Sequence, residues 1–185
     1  MPRVLEIIKE VFQNVGMGHS LTDPEMGPLV NMSQREEILA AIEKGRAEGA
    51  HLEFGGEVPT DGDLLKGSFI TPTVFTGVKR SMYLAQEEIF GPVLSILTYK
   101  DEEEGLMMAN DSQYGLSAEV WTSDPGRAIA FARRINSSHV TVNGSGGFGL
   151  EVPFGGVGKS GYGREGGIES LEAYSRVKSL FLSTQ

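Results

Sequence analysis

The sequence predicts an α/β fold, a largely parallel sheet flanked by helices, and three observations carry this. Leu116 to Thr122 and His139 to Asn143 read as strands with an amphipathic helical stretch between them. Val93-Leu94-Ser95-Ile96-Leu97 is a short apolar run of the kind that makes a buried strand. Helix start signals recur between such runs, and strands alternating with helices of ordinary length are the pattern of a parallel α/β layer.

The elements follow in order. Val4, Leu5, Ile8, Val11, Phe12 and Val15 recur at helical spacing as one buried face, and Gly16 and Gly18 end the pattern, so a first helix runs to about Val15. Ser33 and Glu36 stand at capping-box spacing before Ile38, Leu39 and Ile42, with Gly49 as the stop of a second helix. Gly55-Gly56, Pro59, Gly62 and Gly67 mark a loop. Phe69-Ile70-Thr71 and Thr73-Val74-Phe75 then have β character around Pro72, and because proline cannot donate to a ladder they predict an edge or broken strand. After the strand at 93–97 a helix begins near Asp101. Asp124 is placed as an N-cap, with Pro125 at the first helical position and Ala128, Phe131, Ala132 and Ile135 on one face. A short helix near Glu165 to Ala173 precedes a tail, Tyr174 to Thr184, that alternates weakly and reads as a strand without a partner in this chain.

Composition narrows the function classes. The 185 residues, 39% hydrophobic, suffice for one sizeable core or a little more. A formal charge of -9, from 16 Lys and Arg against 25 Asp and Glu, repels phosphate backbones and anionic lipid alike, so neither nucleic acid nor membrane is an expected partner. No apolar stretch approaches the roughly 20 residues of a membrane span, and Met1-Pro2-Arg3 leads into a charged amphipathic segment rather than a signal peptide, which predicts a cytoplasmic protein. The chain has no cysteine, hence no disulfide, no thiolate metal site and no cysteine nucleophile. His19, His51 and His139 lack metal-ligand spacing; His139 starts a strand and the other two sit in loop-like contexts, so no metal site is expected. The acidic run Asp101 to Glu104 beside Asn110 reads as a solvated helix start. Eleven glycines fall between Gly144 and Gly167, but the interleaved Phe148, Phe154, Tyr162 and Arg164 exclude a simple linker. Gly158-Lys159-Ser160 superficially suggests a phosphate loop, yet Pro153 occupies the position of its first glycine and no apolar strand leads directly in.

Glu87-Glu88-Ile89-Phe90-Gly91-Pro92-Val93 is similar to the E-E-I-F-G-P-V segment of the aldehyde dehydrogenase superfamily. Further similarities follow in order: Met26 to Leu29, Gly67 to Phe75, Asn110 with Tyr114-Gly115-Leu116, Val142-Asn143, Pro153 to Gly156, Lys159-Ser160-Gly161, Gly163-Arg164-Glu165, Tyr174 and Lys178. The resemblance covers essentially the whole chain and concerns the family's C-terminal part. It implies an aldehyde dehydrogenase catalytic-domain-like fold, with residues 1–156 as a partial catalytic domain and 157–185 as a C-terminal segment with an oligomerisation strand. In the family a cysteine thiolate attacks the aldehyde, hydride passes to the nicotinamide, and a glutamate-activated water hydrolyses the thioester. The resemblance places that cysteine, that glutamate and the phosphate-cradling turn upstream of Met1, so this chain alone is expected to be inactive and to bind NAD or NADP weakly or not at all.

Carried over residue by residue, the resemblance implies that Glu88 accepts hydrogen bonds from the nicotinamide-ribose hydroxyls, a task for an ionised acceptor pair. It puts the aromatic ring of Phe90 against the nicotinamide side of the pocket, and Phe148 in the loop that meets the aldehyde. Each has a plainer alternative: a surface carboxylate, a core phenylalanine, a loop aromatic. Pro153-Phe154-Gly155-Gly156 is expected to shape a close backbone approach. The expected partners are a small-molecule aldehyde, an N-terminal half, or further copies of the chain. A rival reading is a non-catalytic assembly or binding module pairing through its C-terminal strand; a cofactor-binding module acting alone is a third.

Overall fold

The computed structural model describes residues 2–60, 62–144 and 149–184. The chain forms two compact units, Met1–Thr98 and Tyr99–Gln185, so the expected boundary at 156/157 lies inside the second.

In the first unit, helix α1 (Pro2–Gln13) and helix α2 (Met32–Ala47) precede strand β1 (His51–Phe54), strand β2 (Thr73–Thr76), the single-turn helix α3 (Tyr83–Gln86) and strand β3 (Val93–Ser95). The sheet order is β1-β2-β3, with β1 antiparallel to β2 and β2 parallel to β3. Strand β2 is therefore central rather than an edge, while the other expectation from Pro72, a broken strand, is met: residues 69–71 stay outside the sheet and only Thr73–Thr76 enters it. The proline stands just outside the ladder, which begins at Thr73, so its missing N–H costs no strand hydrogen bond. Thr73, Val74 and Phe75 are fully buried, and the Thr73 hydroxyl donates to the Thr71 carbonyl at 2.8 Å, which makes its burial affordable. Ile38 and Ile42 from α2, with Ile70, Val78, Met82 and Leu84, complete the core around Phe75.

Helix α2 starts two residues before the expected Ser33. Asn31 is extended and its side chain accepts from the Gln34 N–H at 2.8 Å, while the Ser33 hydroxyl donates instead to Glu37. Gly49, at φ +95, turns the chain away from the helix end as expected. Helix α1 departs from expectation: none of its residues is fully buried, and Val4, Ile7 and Val11 are exposed. Only Leu5, Ile8, Phe12 and Val15 are half-buried, with the Phe12 ring edge-on to Phe54 at 5.9 Å. His51, expected in a loop, opens β1.

The second unit runs through helix α4 (Glu102–Asn110), strand β4 (Ser117–Val120), helix α5 (Pro125–Ala132), strand β5 (His139–Val142) and helix α6 (Gly167–Ala173). Strands β4 and β5 pair in parallel, joined by α5, as the strand-helix-strand reading requires. Helix α4 begins where expected, capped by Asp101, and Asp124 caps α5 with Pro125 in the first turn, as expected. The Arg134 guanidinium grips Glu103 through two hydrogen bonds of 2.6 Å and holds its carboxyl below the ordinary carboxylate range. Past α6, Ser175 to Thr184 forms no regular element and is exposed.

Two predictions follow from this packing. Phe75→Ala should cost about 3–5 kcal/mol of unfolding free energy and Asn31→Ala about 0.5–2 kcal/mol, read by urea denaturation followed by circular dichroism; an Asn31→Ala chain as stable as the parent would mean water serves the helix start equally well. Because the Glu103 pKa is lowered on folding, its contribution is present above the ordinary carboxylate range and lost as pH falls through the lowered value. The stability gap between the parent and Glu103→Gln should therefore close on acidification. Both side chains are exposed, so the gap should also shrink with added salt.

Candidate functional site

The segment from Glu87 to Val93 is built one residue at a time against the first core. Glu87 ends α3, its extended backbone donating to the Tyr83 carbonyl at 2.9 Å. From there burial alternates with the period of an extended chain: Ile89 packs against the core while Glu88 and Phe90 are exposed, Phe90 at 70%. Gly91 N–H reaches back to the Ile89 carbonyl at 2.7 Å, and Val93 N–H to the Gly91 carbonyl at 2.8 Å, two consecutive three-residue turns. The Pro92 carbonyl then accepts from Thr73 N–H at 2.8 Å, which seats Val93 beside β2 and starts β3 in register.

The close approach at Gly91 fixes the path. A Cβ there would lie 2.3 Å from Ile38 Cδ1 and 3.0 Å from its Cγ1, and Ile38 is itself 1% exposed in the packed core, so a side chain has no room. The same helix α2 secures the turn from its first residues: the Gln34 side-chain amide donates to the Phe90 carbonyl at 3.3 Å. The Phe90 backbone is thus tethered while its ring stays outside, which excludes the core-phenylalanine alternative. The Glu88 carboxylate has no partner among the described residues and presents free acceptor lone pairs to solvent. A mainly apolar groove of about 340 Å³, lined by Phe12, Val15, Met26, Pro92 and Leu94, lies alongside the turn, and neither Glu88 nor Phe90 lines it.

Phe148 lies outside the described residues. The other motif residues prove to be fasteners of the second unit. Asn110 holds the turn after α5 by two bonds at once, its side chain accepting from Asn136 N–H at 2.7 Å and donating to the Arg134 carbonyl at 2.9 Å. Asn143 holds Thr122 in the same two-handed way. Phe154 and Glu165 exchange backbone hydrogen bonds of 2.7 Å, and Arg164 bridges the Gly156 carbonyl and the Ser138 hydroxyl. A Cβ on Gly155 would fall 2.4 Å from the Gly163 carbonyl, so the glycine-rich turn serves close backbone approach, as expected. The Ser160 hydroxyl accepts from Gly115 N–H at 3.1 Å, a structural use at odds with a phosphate loop. Sequence reasoning missed Gln34; its only signal was its position three residues after Asn31. Among the described residues no group of His, Asp and Glu is arranged to hold a metal ion, and no helix is long and apolar enough to cross a membrane.

The α/β chain thus presents an exposed carboxylate and an exposed ring two residues apart, on a glycine-proline turn before a parallel strand. The aldehyde dehydrogenase family profile matches residues 1–180, and the chain belongs to that family. The betaine aldehyde dehydrogenase of Brucella anthropi is 44% identical over 181 residues, which are 97% of this chain and 37% of that protein. The chain thus spans little more than a third of the length of the curated relatives it matches. Among solved structures, an aldehyde dehydrogenase from Mycobacterium tuberculosis complexed with NAD+ superposes with a TM-score of 0.90 at 39% identity, covering 98% of this chain and 37% of that one. A betaine aldehyde dehydrogenase from Staphylococcus aureus in complex with NAD+ gives 0.88 at 36% identity, covering 94% and 35%.

If contact with Ile38 is what forbids a side chain at position 91, Gly91→Ala should destabilise the chain by roughly 1–3 kcal/mol. Ile38→Val removes the obstructing Cδ1, so the same change made in that background should cost measurably less. Equal costs in the two backgrounds, measured by denaturant titration, would place the constraint elsewhere.

Proposed function

We propose that this chain supplies the nicotinamide-ribose contact and part of the substrate pocket of an NAD(P)-dependent aldehyde dehydrogenase, an activity that oxidises an aldehyde to a carboxylate and that the chain does not perform alone. The observation that carries the reading is the turn at 87–93, where Ile89 anchors inward and leaves Glu88 outward without a partner among the described residues. An ionised carboxylate accepts two hydrogen bonds and donates none, which suits the vicinal hydroxyls of a ribose. Phe90, tethered through its carbonyl by Gln34, would offer an apolar wall beside the nicotinamide, and Phe148 would meet the aldehyde. The cofactor, NAD or NADP, would bring the hydride acceptor; this chain's part is to orient the ribose and exclude water on one side. The nucleophile is what it lacks, because no residue of the chain is a cysteine. A cytoplasmic setting belongs to the same proposal.

A second reading, a non-catalytic assembly module acting through residues 157–185, is favoured by one feature. Val177, Leu180, Phe181 and Leu182 are between 77% and 98% exposed, an apolar surface that a lone monomer seldom leaves uncovered. An oligomer that neither binds cofactor nor turns over would favour that reading.

The purified chain, supplied with a panel of aldehydes and each cofactor in turn, should form no NAD(P)H above background, and calorimetry should detect no micromolar NAD binding. Turnover that survives repurification would show that another residue replaces the cysteine, and a micromolar dissociation constant would show that Glu88 and Phe90 suffice without a phosphate site.

A further inference from the structure

The chain's only Asn-Gly pair, Asn143-Gly144, lies directly after β5. Asn143 occupies the left-handed region at φ +54, which asparagine tolerates better than other residues with a Cβ. Both ends of its side-chain amide are engaged by one residue: Oδ1 accepts from Thr122 N–H at 2.9 Å and Nδ2 donates to the Thr122 carbonyl at 2.8 Å. Its own N–H donates to the Val120 carbonyl at 2.9 Å, so three hydrogen bonds tie it to the end of β4. Gly144 differs: its N–H has no acceptor among the described residues, and a Cβ built on it would meet nothing within 4 Å.

We infer that Asn143-Gly144 is a latent deamidation site which the Thr122 clamp holds shut in the folded chain. The reaction needs no enzyme and no redox partner. The Gly144 nitrogen attacks Asn143 Cγ, a new N–Cγ bond forms, the Cγ–Nδ2 bond breaks, and the amide leaves as ammonia with the proton given up by the Gly144 nitrogen. Water then opens the resulting imide at either carbonyl, leaving aspartate or isoaspartate. Glycine favours the attack because no side chain shields its nitrogen, and Asn143 is exposed to water. The clamp opposes it: attack needs the side-chain amide free to adjust toward the Gly144 nitrogen, and the two bonds to Thr122 hold that amide in place. Modification also keeps the clamp from re-forming. An ionised carboxylate accepts only, so in place of Nδ2 it would set a negative oxygen against the Thr122 carbonyl, turning an attraction into a repulsion. Once opened and modified, the junction after β5 cannot close again as before.

The test is peptide mass spectrometry on the full chain after incubation at mildly alkaline pH, native and in concentrated urea, scoring the mass gain of acid over amide and isoaspartate at position 143. Deamidation should be confined to urea, with the native rate at least about tenfold lower, the factor imposed by a local opening that costs roughly 1.4 kcal/mol. Gly144→Ala, which has space for its methyl group, should keep the native fold and suppress the urea reaction. Asn143→Asp should lower the unfolding midpoint and speed amide hydrogen exchange in β4 and β5. Equal native and urea rates in the parent would overturn the inference, and so would an Asn143→Asp chain with unchanged exchange.

Discussion

The close contact between the Gly91 backbone and Ile38 is the constraint on which the candidate site depends. Ile38 lies in a core that also holds Phe75, Ile42 and Leu84, so its position is set by packing that has nothing to do with a ligand. The chain can pass over it only as backbone, and glycine provides that passage. With Ile89 anchored on one side of the crossing and the Pro92 carbonyl bound to Thr73 on the other, Glu88 and Phe90 have no route inward. Their exposure is thus a product of core packing rather than a want of it. Helix α2 serves twice here, supplying Ile38 beneath the turn and Gln34 at its edge.

Gln34 also shows where sequence pattern reaches its limit. Asn31 and Gln34 stand at capping-box spacing, as do Ser33 and Glu36, and composition does not choose between them. The chain enters the helix at Asn31, and Gln34, whose side chain would return to the cap residue in a complete box, instead crosses to the Phe90 carbonyl. That use of a residue 56 positions away is invisible to any local signal. Strands β4 and β5, the start of α4 and the cap of α5 were legible because each rests on neighbours in sequence. Strand β1 was not, because four residues followed by two glycines resemble a loop until β2 pairs with them. Helix α3 has one turn and no side-chain cap, so nothing announces it. Pro72 announced the break in the strand but not its place in the sheet: proline argues against a ladder only at its own position, and the ladder starts one residue later. The outward placement of Glu88 and Phe90 was half legible, since alternation is a local property but its phase is set by Ile89 meeting the core.

Helix α1 illustrates the opposite failure. Its apolar spacing is real, yet Val4, Ile7 and Val11 remain exposed and only the side toward Phe54 is half-covered. Periodicity states that a face is apolar; it does not state that this chain contains the surface that covers it. The same holds for Leu180, Phe181 and Leu182 beyond α6, where an apolar tail runs without regular structure.

The motif residues divide by chemistry into two groups, and the division explains why a shared pattern is not a list of functional groups. Asn110 and Asn143 carry amides, which donate and accept at once, so each can satisfy an N–H and a C=O of a bending backbone with one side chain. Arg164 and Ser160 similarly spend their polar atoms on carbonyls, a hydroxyl and an N–H of this chain. A carboxylate only accepts, and where it serves structure here it meets a donor of this chain: a helix-start N–H for Asp101 and Asp124, a guanidinium for Glu103, a loop N–H for Glu25 and a hydroxyl for Glu53. Glu88 meets none of these among the described residues. Among them it has no helix N-terminus to cap and no cation against it, and the backbone on both sides is held by other groups. This carboxylate therefore has no partner among the described residues, and that is the observation on which the proposed ribose contact rests.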